Sequence, residues 1–355
     1  MPTRAADIVN SIADPLLGLT LEEMGIKTTF IEKNNQLSVH LQAGFPLLSL
    51  QKSLIPLLKS ALLEEFPSLQ VDFDLDFFIK AHHTQLPGKG LRNVKNTIAI
   101  ASGKGGVGKS TVTINLATAL ARAGAKVGIL DADIYGPSIP LMLGKHEPVQ
   151  ISGEHYLPVL AHGVQAMSIG YLTKGDQALI WRGPMLAKSL IQMLDITLWD
   201  DLDYLFIDLP PGTGDIQLSL VQKIPLTAAV VVTTPQNVAT LDAEKAIKMF
   251  ETTGIDVLGV VENMSSHICS QCGHEDALFG KGGGEKLSNN FNIPLLGQLP
   301  LDSRIRRQCD EGTPTATFAN DELASPFMKT ALTIAMALSQ KPLNYAGKFP
   351  PIIVE

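Results

Sequence analysis

The stretch Ser102-Gly103-Lys104-Gly105-Gly106-Val107-Gly108-Lys109-Ser110-Thr111 fits the pattern GxxxxGK[ST], with Gly103 and Gly108 at the fixed positions. Glycines at this density let the backbone curl until successive N–H groups point inward and cradle a triphosphate. Lys109 is placed to reach the β- and γ-phosphates, and the Ser110 hydroxyl to ligate Mg²⁺. Two acidic positions stand where a nucleotide hydrolase needs them: Asp133, in Leu130-Asp131-Ala132-Asp133, and Asp208, after Phe206-Ile207. Further along, Cys269-Ser270-Gln271-Cys272 sets two thiols within reach of one metal centre, with His267 and His274 on either side.

The surrounding pattern says how such residues are held. Thr97 to Ala101 is a short apolar run of the buried-strand kind, and Thr111 to Ala123 reads as a helix whose N-terminus favours anions. Strand-like runs continue at Lys126 to Leu130, Tyr204 to Ile207, Ala228 to Thr233, Val257 to Val261 and Pro294 to Gly297. Helical patterns lie between them, notably Met185 to Leu194 and Leu241 to Thr252. This alternation predicts an α/β phosphate-loop domain over residues 94–342, a mainly parallel sheet covered by helices on both faces. Its ligand should sit at the carboxyl ends of the strands.

Residues 1–80 read as a separate small α+β unit. Asp7 to Leu16 is expected as a helix ended near Pro15; Thr28 to Ile31 and Leu37 to Leu41 as paired strands around Lys33-Asn34-Asn35; Ser53 to Phe66 as a helix; and Val71 to Ile79 as a third strand. Residues 81–93, rich in Pro, Gly and polar side chains, read as a linker in which His82 and His83 are solvated, and 343–355 as a C-terminal tail.

Composition narrows the partners. Hydrophobic residues at 45% and charged residues at 18% suit a core-forming globular protein. A net charge of −7 argues against a polyanion-binding surface, so no nucleic-acid partner is expected. No apolar run reaches membrane-spanning length, the N-terminus lacks the apolar core of a secretory signal, and three cysteines suggest a reducing compartment. A cytoplasmic protein without a membrane partner is expected.

Lys104 goes beyond the plain phosphate loop. Gly103-Lys104-Gly105-Gly106-Val107-Gly108-Lys109-Ser110-Thr111 resembles the deviant Walker A motif of the MinD, ParA and nitrogenase-iron-protein class. The resemblance implies an ATPase working as a homodimer, with Lys104 reaching the partner's nucleotide as an arginine finger would. It also implies that Asp208 is the Walker B carboxylate, holding Mg²⁺ through water, and that Asp133 positions the attacking water. Asn263 resembles the asparagine that contacts adenine, and Pro300-Leu301-Asp302 the segment closing over the base. Asp131-Ala132-Asp133-Ile134-Tyr135-Gly136-Pro137-Ser138, Trp181-Arg182-Gly183-Pro184-Met185, residues 208–215, Thr233-Thr234-Pro235-Gln236 and Glu262-Asn263-Met264-Ser265 all resemble motifs of the Mrp/ApbC family of Fe–S cluster carrier ATPases. That resemblance runs from about Val94 to Pro314. In the first 80 residues only Asp14-Pro15-Leu16 weakly resembles the start of an Fe–S assembly domain, and no cysteine there offers thiol chemistry.

Within that family the pair Cys269 and Cys272 would hold the cluster. Two thiolates cannot fill the four cysteine positions of a [4Fe–4S] cluster, so a second copy of the motif is needed, and a two-fold dimer supplies it. The cluster would bridge two subunits, to be received from assembly factors and handed to apo iron–sulfur proteins. Two other readings stay open at the cysteines: a redox pair, or zinc completed by His267 and His274, although four ligands within eight residues are cramped. A positioning ATPase of the MinD/ParA kind is the other alternative. The ending Gly347-Lys348-Phe349-Pro350-Pro351-Ile352-Ile353-Val354-Glu355 does not suit the basic amphipathic helix that a membrane-acting member needs. Cys309, in a helix-like stretch, reads as a structural thiol.

Overall fold

Alternating side chains build the front of the chain, and continuous apolar runs build the rest. The computed structural model describes residues 2–34, 36–87, 89–172, 183–269 and 271–344. Asn35, Gly88, Trp181, Arg182, Ser270 and residues 345–355, all within stretches that the sequence reading covers, lie outside the described residues.

The front comprises α1 (Pro2–Ser11), β1 (Lys27–Lys33), β2 (Gln36–Ala43), α2 (Leu48–Glu65) and β3 (Gln70–Phe77). β1 pairs antiparallel with β2, and α2 then carries the chain across to β3, which runs parallel to β2. Leu50, Leu54, Leu58 and Leu62 recur every four residues on α2, which makes one buried stripe. Along β2 the buried positions Leu37, Val39, Leu41 and Ala43 alternate with exposed or half-buried ones. The first helix starts and stops earlier than the expected Asp7 to Leu16. The Asp14 carboxylate accepts the N–H groups of Leu16 and Leu17, a local turn that competes with helix.

The larger part contains β4 (Val94–Ala101), α3 (Lys109–Arg122), β5 (Val127–Asp131), α4 (Ile139–Met142), β6 (Gln150–Ser152), β7 (His155–Leu157), β8 (Val159–Ala161) and β9 (Val164–Ser168). There follow α5 (Gly183–Ile196), β10 (Leu202–Asp208), α6 (Asp215–Lys223), β11 (Ala228–Thr233), α7 (Asn237–Thr252) and β12 (Val257–Glu262). The last are β13 (His267–Ile268), β14 (Glu275–Asp276), α8 (Gly283–Phe291), β15 (Leu295–Gln298), α9 (Ser303–Asp310) and α10 (Ala324–Ser339). Among the described residues eight strands form one sheet in the order β15-β12-β11-β4-β10-β5-β9-β8. Every neighbouring pair is parallel except β8 and β9. Helices flank this sheet, and β5, β10 and β11 are buried along their whole length, as strands covered on two faces must be.

The register matters for chemistry. Asp208 at the end of β10 lies level with Asp131 at the end of β5, and Asp131 lies level with Ser168 at the end of β9. The strands from β6 to β9 are absent from the sequence reading. Three of them have three residues each, too few for a period to register.

The expectation of solvated linker histidines fails for His82, which is 2% exposed. Its main-chain N–H and its Nδ1 both donate to Asn96 Oδ1, at 3.1 and 2.9 Å. Gln85 is tied as firmly, donating to the carbonyls of Val221 and Ile224 and accepting from the Leu226 N–H. No helix of the described residues is long and apolar enough to cross a membrane.

Candidate functional site

The phosphate loop connects the end of β4 to α3. Gly106 (φ +83°) and Gly108 (φ +79°) take the left-handed conformation that side chains resist. Gly108 is also the N-cap of α3, with no side chain capping it, so its helix start is open to an anion. At Gly103 a Cβ would run into the Asp242 carbonyl of α7.

Lys109 is only 6% exposed, and its Nζ lies 2.8 Å from Asp208 Oδ1. Asp208 is fully buried and also accepts from Ser110 Oγ at 2.6 Å and Thr113 Oγ1 at 2.7 Å. One carboxylate therefore gathers the loop lysine, the Ser110 hydroxyl and a threonine one turn further along α3. Oxygen donors of this kind, Ser110 Oγ with Asp208 close behind, suit a hard cation such as Mg²⁺. A cavity of about 200 Å³ opens here, lined by residues 104–111 with Asp133, Ser138, Met142 and Pro211. Lys104 sits in that lining, half-buried, with no ion pair among the described residues.

Asp131 is a site residue that sequence reasoning left aside. It is fully buried, and its carboxylate accepts from Asp133 N at 3.2 Å, Ile139 N at 3.3 Å and Ser168 Oγ at 3.0 Å. It thereby clamps both ends of the segment that carries Asp133. Burial, and next the charge of Asp208, push its carboxyl up to about 7 against the pull of Ser168 and Lys109. Burial also raises Asp133, with Lys109 opposing and Asp208 adding. Thr113 was missed too, although its place three residues after Ser110 on a helix puts both on one face.

The residues assigned to the base divide. Asn263 touches the phosphate loop directly: its Nδ2 donates to Val107 O at 2.9 Å and would meet any Cβ at Gly108. Pro300 and Asp302 line a different, larger cavity of about 710 Å³, together with Ile268, Glu275 and Arg304. There Asp302 caps α9 and pairs with Arg304 at 2.9 Å.

The two cysteines sit in the loop joining β13 to β14. Cys269 N donates to His274 O and Gly273 N to Cys269 O, both at 2.9 Å, which closes a tight turn with Cys272 exposed and Cys269 half-buried. The Cys269 thiol is lowered, first by the main-chain N–H of Cys272, then by that of Gln271, by the Cys272 side chain and by His267. A lowered pKa favours the thiolate, which is the form that binds metal. His267 is turned elsewhere, its Nδ1 donating to Leu301 O at 2.9 Å. Among the described residues no group of three or more His, Cys, Asp and Glu side chains is placed to hold a metal ion. Cys309 is 2% exposed and accepts from Asn115, as a structural thiol should.

A family model described as ParA, NUBPL iron-transfer P-loop NTPase, matches residues 93–338, which include both the phosphate loop and the cysteine pair. The chain belongs to this family. Within the ParA/NUBPL family it is 60% identical over 228 residues to the iron-sulfur cluster carrier protein of Escherichia coli strain K12, a match covering 64% of this chain and 62% of that protein. The chain thus spans under two thirds of that relative's length. A protein of the same name from Deinococcus radiodurans is 39% identical over 349 residues, covering 97% of this chain and 98% of that one. Among solved structures, a nucleotide-binding protein from Archaeoglobus fulgidus in complex with ADP is 42% identical, with a TM-score of 0.55 over 62% of this chain and 87% of that one. The cell division ATPase MinD of Pyrococcus furiosus is 26% identical, with a TM-score of 0.52 over 67% and 98%. The ParA/NUBPL chain therefore has the MinD-like P-loop fold that its motifs implied.

Proposed function

We propose that this chain is a cytoplasmic iron–sulfur cluster carrier whose cargo binds at Cys269 and Cys272 of two subunits, under the control of ATP binding and slow hydrolysis. The observation that carries the reading is the joining of two sites by one short segment. A cysteine pair, Cys269 half-buried with a lowered thiol and Cys272 exposed, begins six residues after the asparagine that holds the phosphate loop. The names of the relatives and the presence of both motifs inside the matched residues support it.

The geometry and the resemblance together support a role for each residue. Lys109 would leave Asp208 for the β- and γ-phosphates, while the loop N–H groups and the start of α3 hold the remaining phosphate charge. Ser110, with Asp208 behind it, would hold Mg²⁺, which neutralises phosphate charge when bound. Asp133 would orient the water that attacks the γ-phosphorus, the bond to the bridging oxygen breaking with its electron pair leaving on ADP. Lys104 would reach across the dimer to that same charge. Asn263 would turn toward adenine, with the 300–302 segment closing above it. Each subunit contributes two thiolates, so the cargo sits between subunits and at the surface, where apo-proteins and assembly factors can exchange it. Residues 1–80 would form a docking unit ahead of the ATPase domain at 94–342.

Anaerobic reconstitution with iron and sulfide tests the reading. A broad absorption near roughly 400 nm, one cluster per two protomers, transfer to an apo-ferredoxin, and loss of all three in Cys272→Ala are expected. A colourless protein holding stoichiometric zinc would overturn it.

A further inference from the structure

Beyond the ends of β12 and β15 the two chains stay bonded. Leu299 N donates to Glu262 O at 2.9 Å, Ser265 N to Leu299 O at 3.0 Å and Leu301 N to Ser266 O at 2.7 Å. Ser265 Oγ adds a second bond to Leu299 O at 3.1 Å. The last rung comes from a side chain: His267 Nδ1 donates to Leu301 O at 2.9 Å. This ladder starts beside the phosphate loop, where Asn263 Nδ2 meets Val107 O at 2.9 Å. Between Asn263 and Ser265 the chain bends through Met264, a bulky residue held at φ +57°, a conformation that persists only where its surroundings enforce it. The ladder ends at His267, two residues before Cys269, and Cys269 N is bonded into the turn that carries Cys272.

We propose that His267 is a positioning residue: through the Leu301 carbonyl it clips the base of the cysteine hairpin to the ladder, so that the hairpin follows the state of the nucleotide loop. The proposal rests on the carrier reading for its purpose, and on the ladder for its physics. A nucleotide that engages Asn263, or closes residues 300–302, displaces one end of a continuous hydrogen-bonded strip, and a strip of packed main chain passes small shifts to its other end. Without the imidazole rung the hairpin is still attached by the chain, but its angle to the strip is free.

The test needs no cluster. In the cluster-free protein Cys272 is exposed, Cys269 half-buried and Cys309 buried, so a small disulfide reagent reads the hairpin alone. Its rate is measured with and without a saturating non-hydrolysable ATP analogue, with saturation checked by fluorescent-nucleotide titration of each variant. Wild type should change its rate by about five-fold or more, the lower end of typical coupling between sites. That change should vanish in His267→Phe and His267→Ala, and persist in His267→Asn, whose amide nitrogen stands near the Nδ1 position. A merely structural histidine would shift the rates in both nucleotide states together and leave their ratio intact. An unaltered ratio in the Phe and Ala variants overturns the proposal, and so does a wild-type rate indifferent to nucleotide. Because the labelling uses apo-protein, a chain that shows the coupling yet carries no cluster refutes the carrier reading and leaves the positioning role standing.

Discussion

Replacing Asp131 by Asn should flatten the pH dependence of folding stability. The carboxyl titrates at about 7 in the fold against 3.8 when unperturbed. The folded state therefore binds the proton more tightly, so the stabilisation is complete below the unperturbed value and is lost as pH rises through 7. Relative to the ionised form, these values give roughly 3 kcal/mol at pH 5 and nearly none at pH 8, so that most of this stabilisation is lost across that window. Asn cannot ionise. It also offers one acceptor fewer to Asp133 N, Ile139 N and Ser168 Oγ, which lowers stability by an amount that does not vary with pH. Urea unfolding of both proteins at pH 5, 6, 7 and 8, followed by tryptophan fluorescence, separates the two effects. The stability difference between wild type and Asp131→Asn should shift by roughly 3 kcal/mol between the ends of the range, in favour of the variant at high pH. A difference that stays constant over the range would mean that Asp131 is ionised throughout, and the argument from its burial beside Asp208 would fail.

Lys109→Ala should weaken ATP binding at least about tenfold by titration calorimetry, since charged hydrogen bonds to the phosphates are lost; retained affinity would sink the phosphate-loop assignment. The same change leaves Asp208 buried with hydroxyl donors alone and should lower stability by about 3 kcal/mol or more. Lys104→Ala should still bind ATP but hydrolyse it more slowly, and its specific activity should no longer rise with protein concentration; unchanged turnover would refute a role across the dimer. Gly108→Ala places a side chain at φ +79° and against Asn263, so nucleotide affinity and melting temperature should fall together. Equal affinity in that variant would show that the loop accommodates a Cβ.

The phosphate loop was legible because its information is contiguous: ten neighbouring residues carry the turn, the cradle, the lysine and the hydroxyl. The cysteine pair was legible for the same reason, as were the long apolar strands and Asp208 at the end of one of them. Asp131 was not, because its role lies in register. It becomes a clamp only when β5 stands between β9 and β10 and brings Ser168 and Asp208 level with it, and one sequence does not encode that alignment. The connector failed similarly. His82 and Gln85 look like solvated polar residues until Asn96 and the end of α6 arrive from elsewhere in the chain. Pro300 and Asp302 were assigned by resemblance to a segment near the base, and they line the cavity that Ile268 and Glu275 of the cysteine hairpin also line.

The connector also sets where the chain can be cut. Its residues complete the larger part: His82 bridges Leu343, a few residues past the last helix, Asn344 N reaches Ala81 O, and Gln85 fills the main-chain groups left open at Val221, Ile224 and Leu226. A truncation made at residue 93, just ahead of β4, would strip those partners from the larger part. A scissor placed just ahead of Ala81 removes the front sheet and helices but keeps the strap. The span from 81 to 93, read by composition as a spacer, is in architectural terms the first piece of the larger part.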